Sequence, residues 1–282
     1  MIILDMNQIS LASLMMHLNM EKTKKPDMGM VRHMILNSVR MYRQDFNEEY
    51  GEIVLAYDSK HYWRRDYFPY YKLNRKRARD KDSKDWESIF ECLNKIKQEI
   101  KDYLPYKVIE VHGAEADDVI ATLVKEYLDE KIMIISGDKD FIQLQKYSNV
   151  SQFSPILKKK LNGEDPNEYI KVHILKGDSS DGIPNVLSND NVFTEGLRQK
   201  PLSKKKIDAW KDGNFENTMA TDEIVRNYSR NKNLIDLDCI PVDIQTNILK
   251  EFTEASCGDR SKLLTYFIEN KLKELTDSIG DF

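Results

Sequence analysis

Cysteine is scarce: three residues, Cys92, Cys239 and Cys257, stand far apart in a chain of 282. No Cys-x-x-Cys pair occurs, so a zinc ribbon is not suggested, and the odd number and wide spacing argue against a disulfide framework. A reducing cytoplasm is therefore the expected compartment. Long apolar runs are missing too. No aliphatic run exceeds four residues, as in Ile132-Met133-Ile134-Ile135, far short of the ~20 residues a bilayer span needs. Asp5 interrupts the only N-terminal apolar run, so no signal peptide is expected. There is neither an internal repeat nor a low-complexity tract. Strong net charge is absent as well, at −4 with 32% charged residues. The signs are mixed, so segregation along the chain says more about partners than the total does. With 40% hydrophobic residues, the length suits one large domain, or one domain with a small satellite.

Short apolar runs alternate with helical patterns in the N-terminal half. Ile2-Ile3-Leu4, Ile53 to Tyr57, Lys107 to Val111 and Ile132 to Ile135 are strand candidates. Val31 to Met41 carries apolar residues at i, i+3, i+4 spacing, and Ala116, Val119, Ile120, Leu123 and Val124 form one helical stripe that runs to about Leu128. Strands separated by helices, with no hairpin signals between them, predict an α/β fold: a mostly parallel central sheet with helices on both faces. Ser154-Pro155, Lys158-Lys159-Lys160 and Gly163-Glu164-Asp165-Pro166 then break the pattern. The expected division is an α/β domain over 1–164 and a helical C-terminal domain over 165–282.

Three of the four strands run into acid, at Asp5, at Asp58, and at Asp138 and Asp140. Open parallel sheets bind ligands beyond the carboxyl ends of their strands, so these acids converge on one edge. Glu115, Asp117 and Asp118 open the helix after the third strand and reach the same edge. Asp178 and Asp181 add a pair at i, i+3. Taken singly, each Asp is an ordinary cap or turn former. Five separate segments placing acids on one edge are not explained that way. Nine carboxylates cannot sit together without cations, because each raises the others' pKa. Oxygen ligands select Mg²⁺ or Mn²⁺ over zinc. Two such ions, roughly 3.5–4 Å apart, clamp the attacking and leaving oxygens of a phosphodiester.

Residues 60 to 81 carry nine Lys or Arg against two Asp, interleaved with Tyr62, Trp63, Tyr67, Phe68, Tyr70 and Tyr71. Cations neutralise phosphates and aromatics stack on unpaired bases. The segment follows Asp58 directly, which places it over the acidic edge.

These motifs resemble those of the flap endonuclease, or 5′ nuclease, family. Trp63-Arg64-Arg65 with Tyr71-Lys72-Leu73-Asn74-Arg75, Glu115-Ala116-Asp117-Asp118, Ser136-Gly137-Asp138-Lys139-Asp140-Phe141 and Gly177-Asp178-x-x-Asp181 match its signatures in order. Met30 to His33, Tyr62 to Asp66, Ile174 to Asp178, Asn233 to Asp238 and Ser278-Ile279 through Phe282 are similar to its ribonuclease H branch in T-even-type bacteriophages. The resemblance implies a PIN-like nuclease domain, with a helical arch over about 64–85. It assigns Asp5, Asp58, Glu115, Asp117, Asp118, Asp138, Asp140, Asp178 and Asp181 to two metal ions. Lys72 would stabilise charge on the scissile phosphate, assisted by Arg75 and Arg64, and Tyr71 would stack on the base near the cut. Arg77 and Arg79 would bind the strand. The sequence departs from the family after Asp181-Gly182-Ile183-Pro184, where no Gly-x-Gly follows. A duplex-binding hairpin is expected instead around Pro201 to Trp210, with Lys204, Lys205 and Lys206 on phosphates.

The implied activity is 5′ to 3′ phosphodiester hydrolysis. It would act on RNA/DNA hybrids and on duplex DNA with 5′ ends or flaps, removing RNA primers and adjacent DNA from lagging-strand fragments in phage replication. The implied setting is the host cytoplasm, the protein a monomer, and its partners a sliding clamp and a single-strand DNA-binding protein. A PIN-like endoribonuclease is the nearest alternative. A non-catalytic structure-specific DNA-binding protein is the other, although a binder of phosphates gains nothing from nine carboxylates.

Overall fold

The computed structural model describes residues 1–163, 165–215 and 220–282. Its centre is a six-stranded sheet. Strands β1 (Ile2–Asp5), β2 (Ile53–Ala56), β3 (Lys107–Ile109), β4 (Ile132–Ile135) and β5 (Val150–Ser154) run parallel, and β6 (Lys159–Lys160) pairs antiparallel to β5. The order is β3-β2-β1-β4-β5-β6. The chain therefore winds outward from β1 to β3, then returns to the other side of β1. The reversal between β1 and β4 opens a crevice at their carboxyl ends, and Asp5 and Asp138 flank it.

Both sheet faces are dry, which explains the unbroken apolar strands. Side chains alternate between faces with period two. Ile2, Leu4, Leu55, Met133 and Ile135 point to one face, covered by α1 (Met6–Glu21), α2 (Met28–Tyr50) and α5 (Trp86–Tyr103). Ile3, Val54, Ala56, Ile132 and Ile134 point to the other, against α6 (Ala116–Glu126). The helix expected over Val31 to Met41 is longer than its apolar stripe. Asp27 accepts from Met30 N at 2.9 Å to start it, and Gly51, at φ +80°, ends it.

Strands β5 and β6 were not legible. Gln152 points inward from β5 and is fully buried, its amide donating to the Ser136 carbonyl at 3.0 Å. A buried amide hides the apolar alternation that marks a strand, and here it supports the loop that carries Asp138.

The segment after residue 165 is helical as expected, but it does not keep to itself. A satellite core gathers Leu175, Val186 and Trp210 from α7 (Pro166–Lys176), the following loop and α8 (Lys204–Trp210), with α9 (Asp222–Ile235) beside them. Beyond it the chain returns to the sheet. Leu237, Ile240, Ile244 and Ile248, the last two on α10 (Val242–Glu254), complete the face covered by α6. Leu263, Tyr266, Phe267, Leu275 and the terminal Phe282 complete the opposite face. These residues come from α11 (Ser261–Glu269), α12 (Lys273–Asp277) and the tail. Amphipathic periodicity shows that a helix buries a stripe, not which surface it buries it against. No helix among the described residues is long and apolar enough to cross a membrane.

Candidate active site

A cleft of about 570 Å³ lies at the carboxyl ends of β1, β2 and β4. Asp5, Asp58, Asp117, Asp138 and Asp181 line it, with Lys72 and Arg75. Each acid is placed by a local rule of the backbone. Asp5 caps α1, accepting from Gln8 N at 3.0 Å, and its other oxygen accepts from Ser136 Oγ at 3.0 Å. Asp58 accepts from Ala116 N at 2.7 Å, which locks the end of β2 to the start of α6. Asp138 caps the 3₁₀ turn that follows β4, accepting from Asp140 N at 2.9 Å. Asp181 ends a turn that needs glycine. Gly177 sits at φ +65°, and a Cβ there would lie 2.4–2.6 Å from the carbonyls of Ile183 and Pro184.

The electrostatics are those of an uncompensated acid cluster. Burial pushes Asp5 up to about 6, with Asp58 adding to the rise. Burial and then Asp140, Asp5 and Asp181 push Asp138 up to about 7. Asp117 is driven well above the carboxylate range by burial and by Asp138, and Asp58 is raised by burial. Polar cleft walls that hold carboxylates so poorly are a fit for hard divalent cations, which would restore the charged forms.

Glu115 and Asp118 belong to a different network. Arg64, only 2% exposed, reaches Glu115 Oε2 at 2.9 Å and Asp118 Oδ1 at 2.8 Å, and donates to the Leu234 carbonyl. Asp118 also accepts from Trp63 Nε1 at 3.2 Å and from Glu115 N at 2.9 Å. It is fully buried and does not line the cleft. The expectation that Asp118 lies among the cleft acids is therefore corrected: it stands behind the cleft wall, where Trp63 Nε1, Arg64 Nη1 and Glu115 N all donate to its Oδ2. The expectation that Arg64 touches nucleic acid is corrected for the same reason, since its guanidinium has no exposed face. Burial acts to raise Glu115, but Lys72 and Arg64 outweigh it and hold the carboxyl below its usual range. Glu115 thus forms the inner wall of the site and does not itself line the cleft.

Tyr71 is also buried. Its hydroxyl stands 3.0 Å from Glu115 Oε2 and from Asp181 Oδ2, one proton shared between two acceptors, and its ring packs edge-on against Tyr62. The expected base stacking by Tyr71 is corrected: the ring faces protein, and the aromatics that line the cleft are Tyr57, Tyr62 and Phe90. Lys72 follows in a left-handed conformation, φ +55°, at the start of α4 (Leu73–Asp80). A non-glycine residue there is strained by roughly 1–2 kcal/mol, and the surroundings impose it. Lys72 N donates to the Asp181 carbonyl at 2.7 Å, while Nζ lies 2.6 Å from Glu115 and 3.6 Å from Asp181. Arg75 pairs with Asp181 and donates to the Ser180 carbonyl at 3.2 Å. The basic segment is therefore tied to the turn that carries Asp181, with α3 (Trp63–Tyr67) and α4 over the site.

Of the remaining expected residues, Arg79 also lines the cleft and the others lie apart. Asp140 and Asp178 do not line the cleft; they stand together with His173, a residue that spacing gave no reason to single out. Arg77 is exposed, while Arg79 lies over the rings of Trp86 and Phe90 at 5.8 and 5.6 Å. Lys204, Lys205 and Lys206 are exposed at the start of α8, a single helix where a helical hairpin was expected.

A doubly wound sheet with an acid-lined cleft at its switch point, crossed by a lysine and an arginine, defines a phosphodiester-cleaving nuclease. Comparison with known proteins agrees. Residues 1–172 match the family model of the 5′-3′ exonuclease N-terminal resolvase-like domain, and residues 165–282 match that of the T4 RNase H C-terminal region. The chain is 38% identical to ribonuclease H of Enterobacteria phage T4, over 99% of its own length and 95% of that protein. It is 29% identical to a 5′-3′ exonuclease of Buchnera aphidicola, over 89% and 92% of the two chains. In fold it is similar to the bacteriophage T5 D15 flap endonuclease solved with DNA and metal ions, with TM-score 0.63, 19% identity, and 90% and 97% coverage. The chain belongs to the 5′-3′ exonuclease family, in its T4 RNase H branch, and is a nuclease.

Proposed function

We propose that the cleft holds two divalent cations, Mg²⁺ or Mn²⁺, and hydrolyses phosphodiesters near the 5′ end of RNA/DNA hybrids and of duplex DNA, including 5′ flaps. The observation that carries this is the pairing of five cleft carboxylates with Lys72 and Arg75 at the β1/β4 crevice. Asp5, Asp58, Asp117 and Asp138 would hold cations directly or through water, with Asp181 at the far wall and Asp140 and Asp178 at a second position. Bound cations supply Lewis acidity toward the phosphate and its oxygens.

The chain's own groups do the rest. Lys72 is held by Glu115 and Asp181 with its ammonium inside the cleft, so it meets a phosphate already oriented and adds positive charge where the transition state gains negative charge. Arg75 is half-exposed beside it and binds the same backbone. The exposed Arg77 and the lysines of α8 extend the basic track along the strand and duplex. Residues 1–164, completed by 237–282, make the catalytic body in this reading, and the satellite between them grips the duplex. A setting in replication, with a sliding clamp and a single-strand DNA-binding protein as partners, belongs to this reading.

The test is cleavage of a 5′-labelled flap and a 5′-labelled RNA/DNA hybrid in Mg²⁺, in Mn²⁺ and in EDTA. Cleavage in either metal and none in EDTA is expected. Cleavage of neither substrate in either metal would overturn the reading.

A further inference from the structure

Asp140, His173 and Asp178 each offer one ligand atom, and these atoms lie within 4.8 Å of one another. They come from three backbone elements that pack together. Asp140 sits in the first turn of the 3₁₀ helix Lys139–Lys146, His173 in the last turn of α7, and Asp178 just beyond Gly177. His173 Nε2 is 3.0 Å from Asp140 Oδ1, and the ring lies against Tyr169, with centroids 5.4 Å apart. One oxygen of Asp178 accepts from Ser180 N at 2.7 Å, which fixes that carboxylate in the turn. Donors around an octahedral dication stand about 3.0–4.2 Å apart when the bonds are about 2.1 Å long. The bound of 4.8 Å is a little wider than that span, so the three ligand atoms have only a short way to draw together around an ion.

We propose that this trio is a mixed nitrogen–oxygen cation position that selects a first-row transition dication such as Mn²⁺ over Mg²⁺, with His173 as the selecting ligand. The cleft acids offer oxygen alone, the donor set of Mg²⁺. An imidazole nitrogen shifts preference toward later and softer dications, because Mg²⁺ keeps oxygen ligands and water. The two positions of the centre thus differ in chemistry. The inference rests on the reading that these acids hold divalent cations, and it goes further by assigning the selectivity to one residue.

The test uses the full chain and Mn²⁺ as the probe. Pulsed electron paramagnetic resonance of the wild type at saturating Mn²⁺ should show ¹⁴N coupling from a directly bound imidazole. His173→Ala should remove that coupling. It should also weaken one class of Mn²⁺ site by at least about 10-fold, the scale of losing a supporting residue at a metal centre, with Mg²⁺ binding unchanged. His173→Gln, which offers oxygen, should restore part of the binding without the ¹⁴N signal. Absence of ¹⁴N coupling in the wild type, or its survival in His173→Ala, overturns the proposal and shows a histidine that only pairs with Asp140. Cleavage in Mg²⁺ is scored separately. An active nuclease without ¹⁴N coupling sinks this inference alone, whereas ¹⁴N coupling in an inactive protein sinks the functional reading alone.

Discussion

Lys72 Nζ lies 2.6 Å from Glu115 Oε1, a contact that joins the basic arch to the first residue before α6 and aims the ammonium at the cleft acids. Lys72 is the strongest charge that keeps Glu115 ionised, but Arg64 and the Tyr71 hydroxyl also bind the same carboxylate. Lys72 can therefore act on a bound phosphate while the wall behind it stays closed.

That division of labour makes Lys72→Ala a change in chemistry more than in folding or binding. Single-turnover cleavage should slow by on the order of 10²–10³, the usual cost of one electrostatic stabiliser. Affinity measured in Ca²⁺ should fall far less, since Arg75 and Arg77 remain. Equal losses in rate and affinity would reduce Lys72 to a binding residue.

Arg64→Ala should behave in the opposite way. It leaves Glu115 and Asp118 buried beside a missing cation, a change that typically costs about 3–5 kcal/mol. The thermal midpoint should drop sharply in EDTA and in Mg²⁺ alike. A variant that melts like the wild type but binds flap DNA weakly would restore Arg64 to the nucleic-acid surface.

Arg77→Ala should leave both stability and the chemical step in place. Loss of one phosphate contact flattens the slope of log affinity against log salt by up to roughly 0.9. Arg79 lies over Trp86 and Phe90 and also lines the cleft, so Arg79→Ala should flatten the salt slope as Arg77→Ala does. Identical slopes for wild type and Arg77→Ala would put that arginine off the path of the strand.

The parts legible in the sequence are those set by short-range pattern plus topology. Apolar strands that end in Asp must present those acids together once the sheet is parallel, and Asp5, Asp58 and Asp138 do so. Charge segregation located the basic segment that carries α3 and α4, but composition does not say which cations stay outside. Arg64 and Tyr71 are consumed by Glu115, Asp118 and Asp181 from 44 to 110 residues away, and such pairing exists only in the tertiary structure. His173 meets Asp140 across 33 residues for the same reason. The amphipathic stripes of α10 and α11 were visible, while their burial on the nuclease sheet was not.

Metal-free protein should lose stability as pH rises from 5 to 8. Asp5 and Asp138 bind protons more tightly folded than unfolded, with values of about 6 and about 7. Each favours folding fully below the unfolded carboxylate range near 4, and loses that contribution as pH rises through its folded value. His173 is raised by Asp140 against the effect of burial and acts in the same direction. Glu115 is lowered, so its own contribution fades only in more acid solution. Melts in EDTA across this range should slope downward, and saturating Mg²⁺ should lift the curve most at high pH. A flat EDTA profile would mean that the cleft acids are already neutralised by their neighbours.

Neutralising one cleft acid should then stabilise the metal-free protein while abolishing cleavage. Asp138→Asn keeps a side-chain oxygen for Asp140 N, so the cap survives, and it removes a charge that Asp5, Asp140 and Asp181 all oppose. A gain of about 1 kcal/mol moves the midpoint of a chain this size by roughly 2–4 °C, and a shift of at least that size is expected in EDTA. Mg²⁺ stabilises the wild type by mass action and should stabilise the variant less. Asp5→Asn should follow the same pattern. Asp236→Asn and Asp238→Asn supply the contrast. Asp236 caps Asp238 N at 2.9 Å and binds Lys232 at 2.6 Å, and Asp238 binds Lys125 at 3.0 Å and Lys146 at 2.5 Å. Those acids are already paired, so amides there should lower the midpoint or leave it unmoved. If Asp138→Asn instead melts below the wild type in EDTA, and Mg²⁺ raises both by the same amount, the carboxylates at the β1/β4 crevice do not form one repelling set. The assignment of that crevice to divalent cations would then have to be abandoned.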